Sequence, residues 1–285
     1  MATTVIEPPR KQFWTPAAWF GVLMLVCYAP VLKVLWANWN QNPDMGHGFF
    51  VPVIAGFIVW QRRDELAALK SPPSWWGLAV VVLGMAISLV ATLGVEVFLG
   101  RAAMIVTLTG AVWLLFGTAV VKRVAFPLFL LLFMIPIPEI IYNRLTFPLQ
   151  QVASSFAEHT LTLLSVPVLR EGNILELPNQ RLSVVEACSG IRSLLSLTFL
   201  SLIYAYFFEK RNAIRVLLFA ATIPIAIVAN GLRVTLTGVL SQIKPALAEG
   251  FFHESTGWVI FMIALVILIL LHQAIRRVVP QRAGV

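Results

Sequence analysis

The chain has 285 residues, of which 59% are hydrophobic and 12% charged, and its mean hydropathy is +0.86. Soluble domains carry about a quarter charged residues, so this chain cannot cover itself with polar surface and needs lipid as its solvent. The formal charge of +8 suggests a nucleic-acid partner only until the positions of the basic residues are considered.

Apolar stretches near the roughly 20 residues needed to cross a bilayer recur along the sequence. In chain order they are Ala17–Trp36, Gly48–Trp60, Trp75–Leu93, Ala102–Val121, Val124–Ile137, Gly190–Phe208, Ala213–Thr237 and Gly257–His272. The first is too long for a signal-peptide apolar region and lacks a small-residue cleavage site, so it is expected to be a retained helix. Gly48–Trp60 and Val124–Ile137 are short, and Pro127, Pro136 and Pro138 crowd the latter region. Both are kept because the charge pattern requires them.

Short cytoplasmic loops are enriched in Lys and Arg. With the N-terminus inside, the cytoplasmic side receives Arg10, Lys11, Arg62, Arg63, Lys70, Lys122, Arg123, Lys210, Arg211, Arg215, Arg276, Arg277 and Arg282, against Glu7, Asp64, Glu65 and Glu209. The basic excess therefore reports topology, and no nucleic-acid partner is expected. Trp19, Trp36, Trp39, Trp60, Trp75, Trp76 and Trp258 fall at or near segment ends, as an interfacial belt requires, whereas Trp113 lies inside its span. The expected fold is an all-α integral membrane protein of about eight transmembrane helices. Both termini are cytoplasmic in this reading, and residues 1–285 form a single membrane domain.

Cys27 lies mid-span and reads as a buried small hydrophobe. Cys188 lies at a membrane face, and pairing the two would demand a large shift in depth. Before Cys188 runs the largest extramembrane piece, Pro138–Ala187. Within Asn143–Val166, Leu145, Leu149, Val152, Phe156 and Leu163 recur at helical spacing, and polar residues including Glu158 and His159 sit nearby. This predicts an amphipathic helix in the interface, with a re-entrant helix as the alternative. Asn173–Leu177 and Arg181–Glu186, separated by Pro178-Asn179-Gln180, predict a β-hairpin that feeds directly into the sixth span.

Three residue types then converge on the outer ends of the late spans. Cys188 opens the sixth span within Glu186-Ala187-Cys188-Ser189-Gly190-Ile191-Arg192-Ser193-Leu194. A helix N-terminus favours thiolate, and Arg192 one turn on adds to this; the competing reading is a small residue packing a helix start. The seventh span contains Asn230-Gly231-Leu232-Arg233, whose first and last residues share a helix face. A charge this near hydrocarbon marks function or a partner, unless it merely snorkels. The eighth span is preceded by His253-Glu254-Ser255-Thr256-Gly257-Trp258. A lone His there is bland by itself and gains meaning from sharing a face with Cys188. Gly257 stands where a zinc-protease pattern needs a second His, and no ligand spacing links Cys188 with His47, His159 and His253. No metal or other cofactor is expected. His272, at the cytoplasmic end of the last span, reads as structural.

These residues resemble the exosortase/archaeosortase family of multi-pass membrane cysteine transpeptidases. The resemblance rests on Ala187-Cys188-Ser189-Gly190-Ile191-Arg192-Ser193-Leu194, on Asn230-Gly231-Leu232-Arg233, and on His253-Glu254 followed by Gly257-Trp258, with a weaker match at His47-Gly48 and Pro52. It implies an enzyme of the bacterial inner membrane with its site on the periplasmic side. Its partners would be exported proteins ending in a Pro-Glu-Pro-type motif, a transmembrane helix and a basic tail. Chemically, Cys188 suits a nucleophile, His253 a proton carrier, and Arg233 either an oxyanion donor or a clamp on substrate carboxylate or carbonyl. Asn230, Glu254, Arg192, Glu186 and His47 are candidates for supporting or positioning roles. Two rivals remain: a transporter or assembly component for an envelope polymer, and a lipid- or glycan-directed enzyme in which Arg233 binds phosphate. The rim position of Arg233 and His253, with mid-span regions free of acids and bases, disfavours transport.

Overall fold

The structure, a computed structural model, describes residues 10–69, 71–178, 180–184, 190–244 and 250–278, without the side chains of 10–14, 190–191 and 250–254. Cys188 and Glu186 lie outside the described residues, as do the side chains of His253 and Glu254. Two compact units emerge, Met1–Pro138 and Glu139–Val285.

In the first unit, α1 (Arg10–Cys27) and α2 (Ala29–Gln41) form one apolar segment bent by 73°. Pro30 supplies the cause, since it donates no backbone hydrogen bond and its ring crowds the preceding turn. The bend turns Tyr28 inward, where its hydroxyl meets that of Thr107 at 2.7 Å. It leaves Cys27 exposed on the outer surface. The expectation that Cys27 is buried within the protein is therefore corrected: its apolar neighbour is the bilayer.

A 3-10 helix over Pro43–Phe49 runs into α3 (Phe50–Gln61). This lengthens the short second span to Pro43–Gln61, 19 residues. Seven residues of 3-10 helix and twelve of α-helix rise roughly 32 Å, enough for the hydrocarbon core. Gly48 is buried because Trp39 occupies the space its side chain would fill. Trp39 donates to the carbonyl of Met134 at 2.9 Å and is a core residue. It does not belong to the interfacial belt, whereas Trp19, Trp36, Trp60, Trp75, Trp76 and Trp258 are all well exposed.

After a short α4 (Arg63–Ala68), α5 (Trp76–Leu93) packs along α6 (Val97–Leu130), which ends in a 3-10 turn at Leu131–Met134. Gly77 and Gly110 let the two backbones touch. The expected fourth and fifth spans join in this element, Val97–Met134, broken at Gly117 with φ 77° and ψ 178°. Only glycine enters that region readily, and a Cβ there would collide with the carbonyl of Pro72. The element is not straight. Tyr28 reaches Thr107, while Trp39 reaches Met134. The intervening turns of α2 span roughly 16 Å, whereas a straight helix would separate Thr107 from Met134 by roughly 40 Å. The two halves therefore meet at a sharp angle, at Gly117 rather than at Lys122-Arg123. Arg123 pairs with Glu65 of α4 at 3.0 Å, so Lys122-Arg123 lies at the same end as Arg62 and Arg63.

In the second unit, α7 (Glu139–Leu163) buries Thr146, Gln150, Ala153, Ser154, Ala157 and Leu161 and turns Leu145, Phe147, Val152 and Leu163 outward. Its apolar side is the exposed one, as a lipid-facing helix requires. The sheet is a three-stranded antiparallel meander of β1 (Leu169–Glu171), β2 (Ile174–Leu177) and β3 (Gln180–Ser183). The expected hairpin is present as the antiparallel pair β2–β3, and β1 is an additional strand. Arg170 on β1 pairs with Glu158 of α7 at 2.7 Å. Ser154 Oγ donates to the carbonyl of Gly172 at 3.0 Å. Leu175, Leu182 and Val184 close a core with Ala153, Ala157, Leu161 and Val234.

Three further helices, α8 (Gly190–Phe208), α9 (Asn212–Ile243) and α10 (Gly250–Val278), share a second core through Leu197, Ala205, Leu218, Ala226, Ala264 and Leu268. Between α8 and α9 lies Glu209, fully buried. One carboxylate oxygen accepts the backbone N–H groups of Lys210 (2.8 Å) and Arg211 (2.9 Å), and the other meets His272 Nε2 at 3.2 Å. The Tyr204 hydroxyl completes the chain at His272 Nδ1, 2.9 Å away.

By length and composition five helices qualify as membrane spans among the described residues, six if the bent α1–α2 pair is one span. Arg192–Phe208 is a shorter apolar helix. The molecule is an all-α membrane protein with a small sheet.

Candidate functional site

The second unit brings motif-bearing segments of α8, α9 and α10 together. On α9, Asn230, Arg233, Thr237 and Ser241 follow a helical stripe and are all buried. The hydroxyl of Thr237 donates back to the carbonyl of Arg233 at 2.9 Å. This keeps the polar stripe satisfied locally without drawing on the guanidinium. Gly231 sits where α9 approaches α7, and a Cβ on it would lie 2.5 Å from Cδ1 of Phe156.

Arg233 is 8% exposed and lies against the backbone of α10. A Cβ on Gly257 would lie 3.0 Å from its Cζ and 3.1 Å from its Nη2. The glycine in the His253–Gly257 stretch thus has a structural reason: it admits the guanidinium. Position 253 lies in the first turns of α10, one turn before Gly257 on the same helical face. Its imidazole, and the Glu254 carboxylate, lie outside the described side chains.

Substituting Gly257 by alanine separates the site from the fold. Alanine favours a helix interior by about 1 kcal/mol, so resistance to thermal unfolding is expected to hold or rise. The new methyl displaces the guanidinium by a few tenths of an ångström, and turnover is expected to fall roughly ten- to hundredfold. A substrate-processing assay on the purified variant, with its melting curve, checks both parts.

Asn230 is 4% exposed, and its Oδ1 has no hydrogen-bond partner among the described residues. It lines a small cavity with Leu149 of α7, Leu194 of α8, and Ala226 and Ile227 of α9. Leu194 is one turn beyond Gly190 and Ile191, so the start of α8 stands beside the Asn230–Arg233 segment. Cys188 precedes Gly190 by two residues. Arg192 is exposed, on the outward side of α8.

His47 belongs to the first unit. It lies half-buried in the 3-10 helix, against the backbone of Phe133 and Asp44. His159 is exposed on α7 and bonds the carbonyl of Ser155 at 2.9 Å. Among the described residues no group of three or more His, Cys, Asp or Glu side chains is arranged to hold a metal ion. Sequence reasoning missed Leu149 and Ile227 as cavity walls, because their placement depends on how α7 crosses α9. It also missed β1, whose signal was the Gly172-Asn173 pair between two short runs; Gly172 takes φ 66° in that two-residue turn.

No curated protein and no solved structure gives a significant match to the chain. Residues 39–270 match the family model described as transmembrane exosortase (Exosortase_EpsH). That interval begins at Trp39, whose ring packs on Gly48, and runs through the Arg233–Gly257 contact almost to His272. With most of its length and all of its motif-bearing helices inside the match, the chain belongs to the transmembrane exosortase family.

Proposed function

We propose that the chain is a membrane-embedded cysteine transpeptidase that cleaves C-terminal sorting signals of exported proteins at the outer face of the inner membrane. The observation that carries this reading is the seating of Arg233 on Gly257, one helical turn from position 253, beside the start of α8. Cys188 is two residues from that start, and two residues reach at most about 7 Å. A thiol, an imidazole and a guanidinium are then available to one scissile bond.

In this mechanism the Cys188 thiolate adds to the scissile carbonyl carbon, and Arg233 donates hydrogen bonds to the oxyanion that forms. Burial of the guanidinium strengthens those bonds by excluding water. Collapse of the tetrahedral species breaks the C–N bond, and His253 delivers its proton to the departing amine. The chain upstream of the cut remains as a thioester on Cys188. An acceptor amine resolves it by transpeptidation, or water by hydrolysis. The substrate's own transmembrane helix and basic tail orient its motif toward the outer rim, provided the Arg62, Arg63 and Arg123 end faces the cytoplasm.

The test is mass spectrometry of exported proteins carrying such C-terminal signals, from cells with and without the intact gene. The expected result is a defined new C-terminus, free or amide-linked, that disappears with the gene. Unchanged full-length signals in both strains would overturn the reading.

A further inference from the structure

The first unit contains a feature that peptide cleavage does not use. A groove of about 330 Å³ runs between α3 and both halves of α6, with Ala17 of α1 also lining it. Its walls include Pro52, Ala55 and Val59 of α3 and Val112, Val124 and Leu128 of α6, and no charged residue lines it. Along the second half of α6 it extends from Val120 to Leu131, roughly 17 Å of helix. That is close to the depth of one leaflet, about 15 Å.

A shallower cleft shares Gly56 and Val59 with this groove and continues to Trp60 and Arg63. The Arg63 guanidinium lies over the Trp60 ring, 4.5 Å from its centroid, and donates to the Trp60 carbonyl at 3.2 Å. Arg123, by contrast, is engaged by Glu65. Arg63 has no carboxylate partner among the described residues, and a guanidinium has five N–H donors. An apolar slot of leaflet depth thus ends at an oriented cation whose remaining donors suit a phosphate.

We propose that this groove is a binding site for one anionic phospholipid, with an acyl chain between α3 and α6 and the phosphate on Arg63. A second apolar helix in the groove would leave that cation facing nothing. A zwitterionic lipid would set its own ammonium beside it.

The test uses the full-length protein, purified in detergent, depleted of lipid, and titrated with phosphatidylglycerol or phosphatidylcholine under native mass spectrometry. The expected result is one phosphatidylglycerol retained per chain, with phosphatidylcholine, whose ammonium opposes Arg63, held about tenfold more weakly. Arg63→Gln should erase that preference. A Cβ on Gly56 meets nothing within 4 Å, so Gly56→Leu fits the backbone, fills the groove and should abolish retention of both lipids. Equal retention of the two lipids, or undiminished retention by Gly56→Leu, overturns the site. A photoreactive side chain at position 56 in intact cells gives a second readout. An adduct of phospholipid mass supports the proposal, and an adduct with a second copy or another protein overturns it.

Discussion

Cys188→Ala is expected to abolish processing, lowering its rate on the order of 10⁴-fold or more, because it removes the sulfur that forms the covalent intermediate in the proposed mechanism. Binding of the sorting signal should survive, since the helix-in-membrane contacts do not involve sulfur. Arg233→Lys provides the comparison. Lysine keeps the charge but loses the planar fork, and Gly257 accommodates a flat group against the α10 backbone. A loss on the order of 10²–10³ is expected there, the cost of one oxyanion donor. The two variants should also differ in kind. A slow substrate leaves a thioester on Arg233→Lys that hydroxylamine releases, and none on Cys188→Ala. Processing by Cys188→Ala at the wild-type rate would remove the thiol from the mechanism and favour a lipid- or glycan-directed reaction at Arg233.

The largest effect on stability is expected far from this chemistry. Glu209→Ala strips partners from two backbone N–H groups and from His272, all at a site closed to solvent. Breaking a buried, hydrogen-bonded pair from one side costs about 3–5 kcal/mol, a fall of roughly 10 °C in apparent melting temperature for a chain of this size. His272→Phe should cost less, because the carboxylate keeps its backbone donors. The pH dependence has a definite sign. Burial alone raises the Glu209 pKa, but the Arg211 N–H, His272, the Arg211 side chain and the Lys210 N–H together outweigh it and hold the group at about 2, below the ordinary 4.5. A depressed carboxyl stabilises the fold fully above its unfolded value, and the gain is lost as pH falls from 4.5 toward 2. Melting curves of wild type and Glu209→Gln should therefore converge across that interval. Parallel curves would show that the charge of Glu209 contributes nothing.

Much of this architecture was legible because lipid imposes a simple rule on sequence. Spans such as Trp75–Leu93 match α5 to within a residue, since length and apolarity suffice to define them. What hydropathy does not carry is backbone direction. Nothing in the composition distinguishes Gly117 from Gly110, yet one breaks α6 and the other packs it. The short second span was underestimated for the same reason: Pro43–Phe49 is too polar to score as apolar, although its 3-10 geometry supplies the missing length. At the site, helical spacing was enough to set Asn230 and Arg233 on one face. The contact that orients the guanidinium joins two helices through residues 24 positions apart in sequence and could be read only after folding. Trp39 shows the opposite error. An aromatic near a span end looks interfacial until a buried carbonyl is found to accept from it.

The seat of Arg233 also bears on how this scaffold changes over generations. A cation seated on the peptide of a neighbouring helix at a glycine leaves no room for a larger side chain at that position. Under the proposed function, drift in preference for one sorting signal over another is expected at the walls of the adjoining slot, at Leu149, Leu194 and Ile227. Diversity among descendants of this chain should concentrate there, around an unvarying guanidinium.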